Sequence, residues 1–194
     1  MRPKEFEEDA VAEAAMRVFW QRGYAATSIQ DLVDGTGLSR SSLYNAFDSK
    51  QGLYLLALRR YGQVGAANAA RLAGTEPLRE RLRALLMRVV EDEALEQASP
   101  GCLAANAALE AAGRDEAVNA ALAQHFQQLE TALLRALAEA RASGELAANR
   151  NQQALARFLM CAIQGLRVLG KGMARENRRA KLAEVVEVAL SCLD

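Results

Sequence analysis

Apolar residues recur every three or four positions along almost the whole chain and nowhere alternate with polar ones. Leu78, Leu82, Leu85, Leu86, Val89 and Val90 make one such stripe; Val118, Leu122, Phe126, Leu129, Leu133 and Leu137 make a longer one. This spacing places each set on one face of a helix. Ala, Leu, Arg and Glu fill the remaining positions, and all four are strong helix formers. Val and Ile are scattered without the two-residue period of a strand. The expectation is an all-α chain of about nine helices.

The punctuation divides that pattern into elements. A first helix is expected from about Glu5 to Arg22, with Val11, Ala14, Ala15, Val18 and Phe19 as its buried stripe and Gly23 as its stop. Thr27 with Gln30 fits a capping box opening a second helix, which Gly35-Thr36-Gly37 ends. Ser39 caps a short third helix from Arg40 to about Ala46. Asp48 with Gln51 fits a second capping box, for a fourth helix reaching about Gly62. Residues 62–74 read as a soft boundary, giving domains of 1–62 and 63–194. Pro77 then suits the first turn of a fifth helix. Ser99-Pro100-Gly101 breaks it, and a short helix follows from Cys102 to about Ala112. The last three helices are expected at about Asp115–Ala142, ended by Gly144, at Gln152–Leu169 and at Glu176–Leu193.

Composition narrows the function classes. Of 194 residues, 51% are hydrophobic and 25% charged, a balance that excludes a disordered chain. No apolar run is long enough for a membrane span, and no apolar signal core follows the acidic start, so a cytoplasmic protein is expected. Three cysteines and one histidine, all well separated, give neither a disulfide framework nor a metal ligand cluster. No metal or cofactor is expected. Lys plus Arg and Asp plus Glu number 24 each, which argues against indiscriminate coating of nucleic acid. From Gly35 to Gly62, however, Arg40, Lys50, Arg59 and Arg60 face only Asp48. Such a local basic face suits phosphate contact.

The same region carries the sharpest motif. Two short helices joined by a glycine-bearing turn, with Leu38 just after it, form a helix-turn-helix pattern. Leu43 and Phe47 are four apart and face inward, while Arg40 with Tyr44 and Ser41 with Asn45 point elsewhere. Arg40 can fork onto a guanine edge or a phosphate, and Asn45 can pair with adenine or touch phosphate. Ser41, Ser42 and Tyr44 offer hydroxyls to phosphates. Thr27 and Lys50 each stand at a helix N-terminus, where free amides favour an anion. An ordinary turn with Arg40 and Lys50 merely solvated fits the spacing as well.

The run TSIQDLVDGTGLSRSSLYNAFDSKQGLYLLALRRY resembles the DNA-binding module of the tetracycline-repressor (TetR) family, over about Phe6 to Tyr61. The resemblance implies a homodimer on a palindromic operator in double-stranded DNA, with an N-terminal three-helix reading domain and a C-terminal helical ligand-binding and dimerisation bundle. It matches Thr27, Tyr44 and Lys50 to phosphate-contacting positions and places Arg40, Ser41 and Asn45 on the recognition helix. Many members carry His where this chain has Asn45. The stretches SPGCLAANAALE (Ser99 to Glu110) and IQGLRVLGKG (Ile163 to Gly172) resemble motifs of a subset that includes repressors responding to reactive electrophiles or oxidants, and also regulators of unknown ligand.

A ligand pocket is expected within the fifth to eighth helices. Its apolar walls are Leu86, Val89, Leu109, Phe126, Leu129 and Phe158; Cys102, Asn106, His125 and Gln164 are its polar candidates. A lone His beside Phe126 also suits a structural role. The resemblance points to a dimer interface of two helices per subunit: Leu155, Leu159, Ala162, Leu166 and Leu169, then Leu182, Val185, Val186, Ala189 and Leu193. The same faces also suit the core of one subunit.

Three functions compete. One is a repressor released from DNA by a small-molecule or reactive inducer. Another is a redox or electrophile sensor switched at Cys102, whose place at or near a helix start favours a thiolate, although a small buried hydrophobe filling a tight helix start suits that residue as well. Arg167 or Lys171 of the eighth helix is expected beside it, and Cys161 and Cys192 are expected to be inert. The third, an enzyme, lacks a nucleophile–base pair, paired carboxylates in an apolar setting, and a phosphate-binding glycine loop.

Overall fold

A computed structural model describes residues 7–95, 101–111 and 115–194, and every regular element among them is helical. The helices are α1 (Glu8–Arg22), α2 (Ile29–Thr36), α3 (Arg40–Phe47), α4 (Lys50–Ala69), α5 (Leu78–Leu95), α6 (Leu103–Ala111), α7 (Glu116–Ala142), α8 (Gln152–Gly172) and α9 (Arg178–Leu190). Short 3-10 turns follow α4 and α9. None of these helices is long and apolar enough to cross a membrane. The expected start at Glu5, the break at Ser99-Pro100 and the sixth helix's end at Ala112 lie outside the described residues.

Capping explains most boundaries. Glu8 and Asp9 place negative charge in the first turn of α1, where the helix dipole favours it. Asp115 accepts a hydrogen bond from the Val118 amide at 3.0 Å and opens α7; Asn151 does the same for α8 through the Ala154 amide. α7 stops where Gly144 takes a left-handed φ of 81° and the Glu145 and Leu146 amides fold back onto the Ala140 carbonyl. α4 runs seven residues beyond the expected end at Gly62, because the alanines that follow outweigh Gly62 and Gly65.

Two caps differ from the sequence expectation. Ser28, not Thr27, caps α2, in a reciprocal capping box with Asp31 rather than Gln30. Ser49, not Asp48, caps α4: its hydroxyl accepts from the Gly52 amide at 3.0 Å. Asp48 instead ends α3 with a left-handed φ of 58°.

The chain divides into two compact units. The first holds the described residues up to Val64 together with Leu103–His125; the second holds Gly65–Cys102 and Phe126–Asp194. The sequence boundary at residue 62 therefore omits α6 and the start of α7 from the first unit. In that unit Phe19, Leu32, Leu43, Leu53, Tyr54, Ala57, Leu103 and Ala107 are buried. The second unit packs α5 against α8 and α9. Leu82, Leu86, Val90, Leu133, Leu137, Leu159, Leu166, Leu182 and Val186 form its continuous core.

Candidate nucleic-acid interface and thiol site

The first unit builds a rigid reading head. The α2–α3 turn is closed by Gly37, which adopts φ 70° and donates its amide to the Val33 carbonyl at 2.9 Å. A side chain would strain this backbone. The Thr36 hydroxyl donates to the Leu32 carbonyl at 2.6 Å, and Ser39 caps α3 through the Ser42 amide. Leu43 is buried beneath α3. Arg40, Ser41, Tyr44 and Asn45 form the exposed opposite face, as their spacing predicts. Ser42 is half-buried, and its hydroxyl hydrogen-bonds with that of Ser39 at 2.8 Å.

Lys50 opens α4, with its ammonium 4.5 Å from the centre of the Tyr24 ring. That ring packs on Tyr54 at 4.6 Å, and Tyr54 meets Phe19 edge-on at 4.8 Å. The cation thus rests on an aromatic stack. Thr27 is a correction: it is 2% exposed, and its hydroxyl donates to the Gly23 carbonyl at 2.6 Å. It fastens the α1–α2 turn and offers no hydroxyl at the surface. Nearby, the Ser28 hydroxyl and amide hold the Asp31 carboxyl below the usual carboxylate range, with Arg22 adding to the effect.

The thiols fall into three environments. Cys102 is 3% exposed and stands between Gly101, with φ 70°, and α6. α8 lies against this turn: a Cβ at Gly101 would stand 3.4 Å from Lys171 Cδ and 3.9 Å from the Arg167 carbonyl. Arg167 in turn reaches the buried Glu93 carboxylate at 3.7 Å. Gly170 lets Glu93 sit there, since a Cβ at that position would fall 2.7 Å from Glu93 Cβ. Cys161, expected to be inert, is exposed and lies on the outward side of α8. Cys192 is half-buried, and burial pushes its thiol up from the ordinary value.

The remaining pocket candidates scatter. Leu86 and Val89 belong to the second unit's core, with Leu129 packed against it. Phe126 is half-buried, and Gln164 has a buried side-chain oxygen without a hydrogen-bond partner. In the first unit Asn106 is half-buried, and the His125 ring lies 5.3 Å from that of Tyr61. Leu109 and Phe158 are corrections as pocket walls: they are 85% and 45% exposed.

The interface candidates also divide. Leu159, Leu166, Leu182, Val186 and Ala189 are buried in their own subunit's core, so they are corrected as dimer contacts. Leu155, Ala162 and Leu193 are half-buried against that core. Leu169 and Val185 are exposed, as are Phe158, Val168 and Val188, which the sequence reading did not assign to an interface. It also missed Glu93, although a carboxylate placed within the Val89–Val90 stripe was a visible signal.

A family model described as bacterial regulatory proteins of the tetR family matches residues 11–57, and one described as a tetracyclin repressor-like C-terminal domain matches residues 79–186. The chain is 33% identical over 191 residues to the HTH-type transcriptional repressor ComR of Escherichia coli (strain K12), covering 97% of this chain and 88% of that one. It belongs to the TetR family. YezE of Bacillus subtilis (strain 168), an uncharacterized HTH-type transcriptional regulator, is 32% identical over 195 residues, covering 100% of this chain and 99% of its own. Among solved structures, a cysteine mutant of the TetR family transcriptional regulator CifR, complexed with a 26-bp double-strand operator DNA, matches with a TM-score of 0.84, 35% identity and 98% coverage of both chains. As a TetR-family member the chain is a DNA-binding transcriptional regulator and not an enzyme.

Proposed function

We propose that this chain is a homodimeric repressor that leaves a palindromic operator when Cys102 is modified by an electrophile or oxidant. Arg40, Ser41, Tyr44 and Asn45 read the major groove, and Lys50 holds a phosphate at the N-terminus of α4. Two recognition helices must lie about 34–36 Å apart to engage successive half-sites, so displacing either one releases DNA.

The observation that carries the trigger is the setting of Cys102. It is buried, it follows a left-handed glycine, and α8 brings the Lys171 side chain and the Arg167 backbone carbonyl to that turn. An adduct on a sulfur with so little free space must displace what surrounds it, and overpacking of this kind destabilises the unmodified arrangement. The CifR relative, bound to operator in cysteine-mutant form, supports attention to thiols in this branch. Dimerisation uses the exposed stripe of Phe158, Cys161 and Leu169 on α8, with Val185 and Val188 on α9.

Reversible binding of a small inducer is the second reading, favoured by the buried Gln164 oxygen, which a ligand donor would satisfy. The test uses a variant with Cys161 and Cys192 replaced by Ser, so that Cys102 is its remaining thiol. N-ethylmaleimide adds the Cys102 sulfur across its double bond, and the proton goes to the neighbouring carbon. Binding to the gene's own upstream DNA is followed before and after. Release of this variant, with retention when Cys102→Ser is added, is the expected result. Equal retention or equal release in both would leave the reversible-ligand reading.

A further inference from the structure

In the first unit, α6 reaches the turn between α1 and α2 through one side chain. Glu110 Oε2 accepts the Ala25 amide at 2.9 Å, although the two residues are 85 positions apart. Its other oxygen lies over Gly23, where a Cβ would stand only 2.5 Å from it. Gly23 also has φ 80°, a backbone conformation that favours glycine. From the other side, Thr27 ties the same turn to the Gly23 carbonyl.

This turn carries Tyr24, and Tyr24 carries Lys50. A second carboxylate acts on the same place: Asp115, just before α7, accepts a hydrogen bond from the side chain of Gln51, the residue after Lys50. Burial and then Asp115 push the Tyr24 hydroxyl up; burial and then Glu110 do the same to Tyr54. Both carboxylates therefore border the aromatic pair beneath the Lys50 ammonium.

We infer that Glu110 is a positioning residue for DNA binding: by holding the Gly23–Ala25 turn, it fixes the Tyr24 ring that sets the Lys50 ammonium for a phosphate. The inference rests on the phosphate-contacting role proposed for Lys50. It makes an unusual claim about sign. Glu110 is an acid in a DNA-binding unit, and by charge alone its loss should tighten binding to DNA.

Two substitutions separate reach from charge. Glu110→Gln keeps an acceptor at the same distance and removes the charge; Glu110→Asp keeps the charge and shortens the reach by one methylene. Each full-length variant is titrated against a labelled random-sequence duplex at several salt concentrations, with circular dichroism to confirm the fold. Glu110→Gln is expected to bind at least as tightly as the parent with the same salt slope. Glu110→Asp is expected to bind more weakly, with a slope shifted toward that of Lys50→Ala, and to add nothing further when combined with Lys50→Ala. A folded Glu110→Asp protein with the parent's affinity and slope would overturn the inference while leaving the Lys50 role intact. An unchanged slope in Lys50→Ala would overturn both.

Discussion

On the phosphate-contacting role proposed for Lys50, its replacement by Ala should remove one contact from each subunit, hence two from a dimer on its operator. Each neutralised phosphate contributes about 0.9 to the slope of log affinity against log salt, so the slope should shrink by about 1.8. Across a fourfold rise in salt, from about 50 to about 200 mM, the parent's advantage over the variant should fall about twelvefold. The ammonium also rests 4.5 Å from the Tyr24 ring and is half-buried, so its removal costs about 0.5–1 kcal/mol of stability through the lost cation–π contact. That cost is small enough for the variant to stay folded. Fluorescence anisotropy with the gene's upstream duplex and with a random duplex measures both affinities. The deficit should be the same on both, because a phosphate contact carries no sequence information. Lys50→Arg should restore the slope. Equal slopes for parent and Lys50→Ala on both duplexes would refute the assignment.

The outward and inward faces of the last two helices should respond differently to substitution. Val188→Asp, on a side chain 70% exposed, should leave the subunit folded but shift sedimentation from dimer to monomer and abolish operator binding; Leu166→Ala, fully buried, should cost about 2–5 kcal/mol in thermal unfolding instead. A dimeric Val188→Asp protein would contradict the interface. Thiol titration should also separate the cysteines. Burial raises the folded Cys192 pKa, so at mildly alkaline pH less of it is thiolate; in the monomeric Val188→Asp protein, where the outward face of α8 is uncovered, a disulfide reagent should label Cys161 first, with the Cys192 rate still rising at a pH where an ordinary thiol levels off. Equal rates and equal pH profiles would contradict the assignment.

The reading head was largely legible because its signals are local. Gly37, Ser39 and Leu43 mark the turn, the cap and the buried side of α3 within a few residues, and the exposed set follows from the helical period. The cap of α2 was misplaced by one residue because Thr27 and Ser28 are both good caps. The choice depends on the Gly23 carbonyl, which takes the Thr27 hydroxyl and leaves Ser28 for Asp31. The C-terminal half was legible as helices but not as faces. α8 carries two apolar sides, and periodicity does not say which one a subunit uses for itself; Leu159 and Leu166 turn inward, while Phe158, Cys161 and Leu169 turn outward. The Glu110–Ala25 and Gln51–Asp115 contacts join residues 85 and 64 positions apart, and no local pattern encodes them.

The inward stripe of α8 and α9 has a consequence for dosage. Leu159, Leu166, Leu182 and Val186 close the second unit's own core, so a subunit buries these side chains without a partner. Subunits that fold before they pair assemble by mass action, and below the dimerisation constant the amount of dimer rises with the square of chain concentration. A twofold change in synthesis then becomes about a fourfold change in the species able to span two half-sites. Cellular abundance is then a second input to operator occupancy, beside the trigger proposed at Cys102.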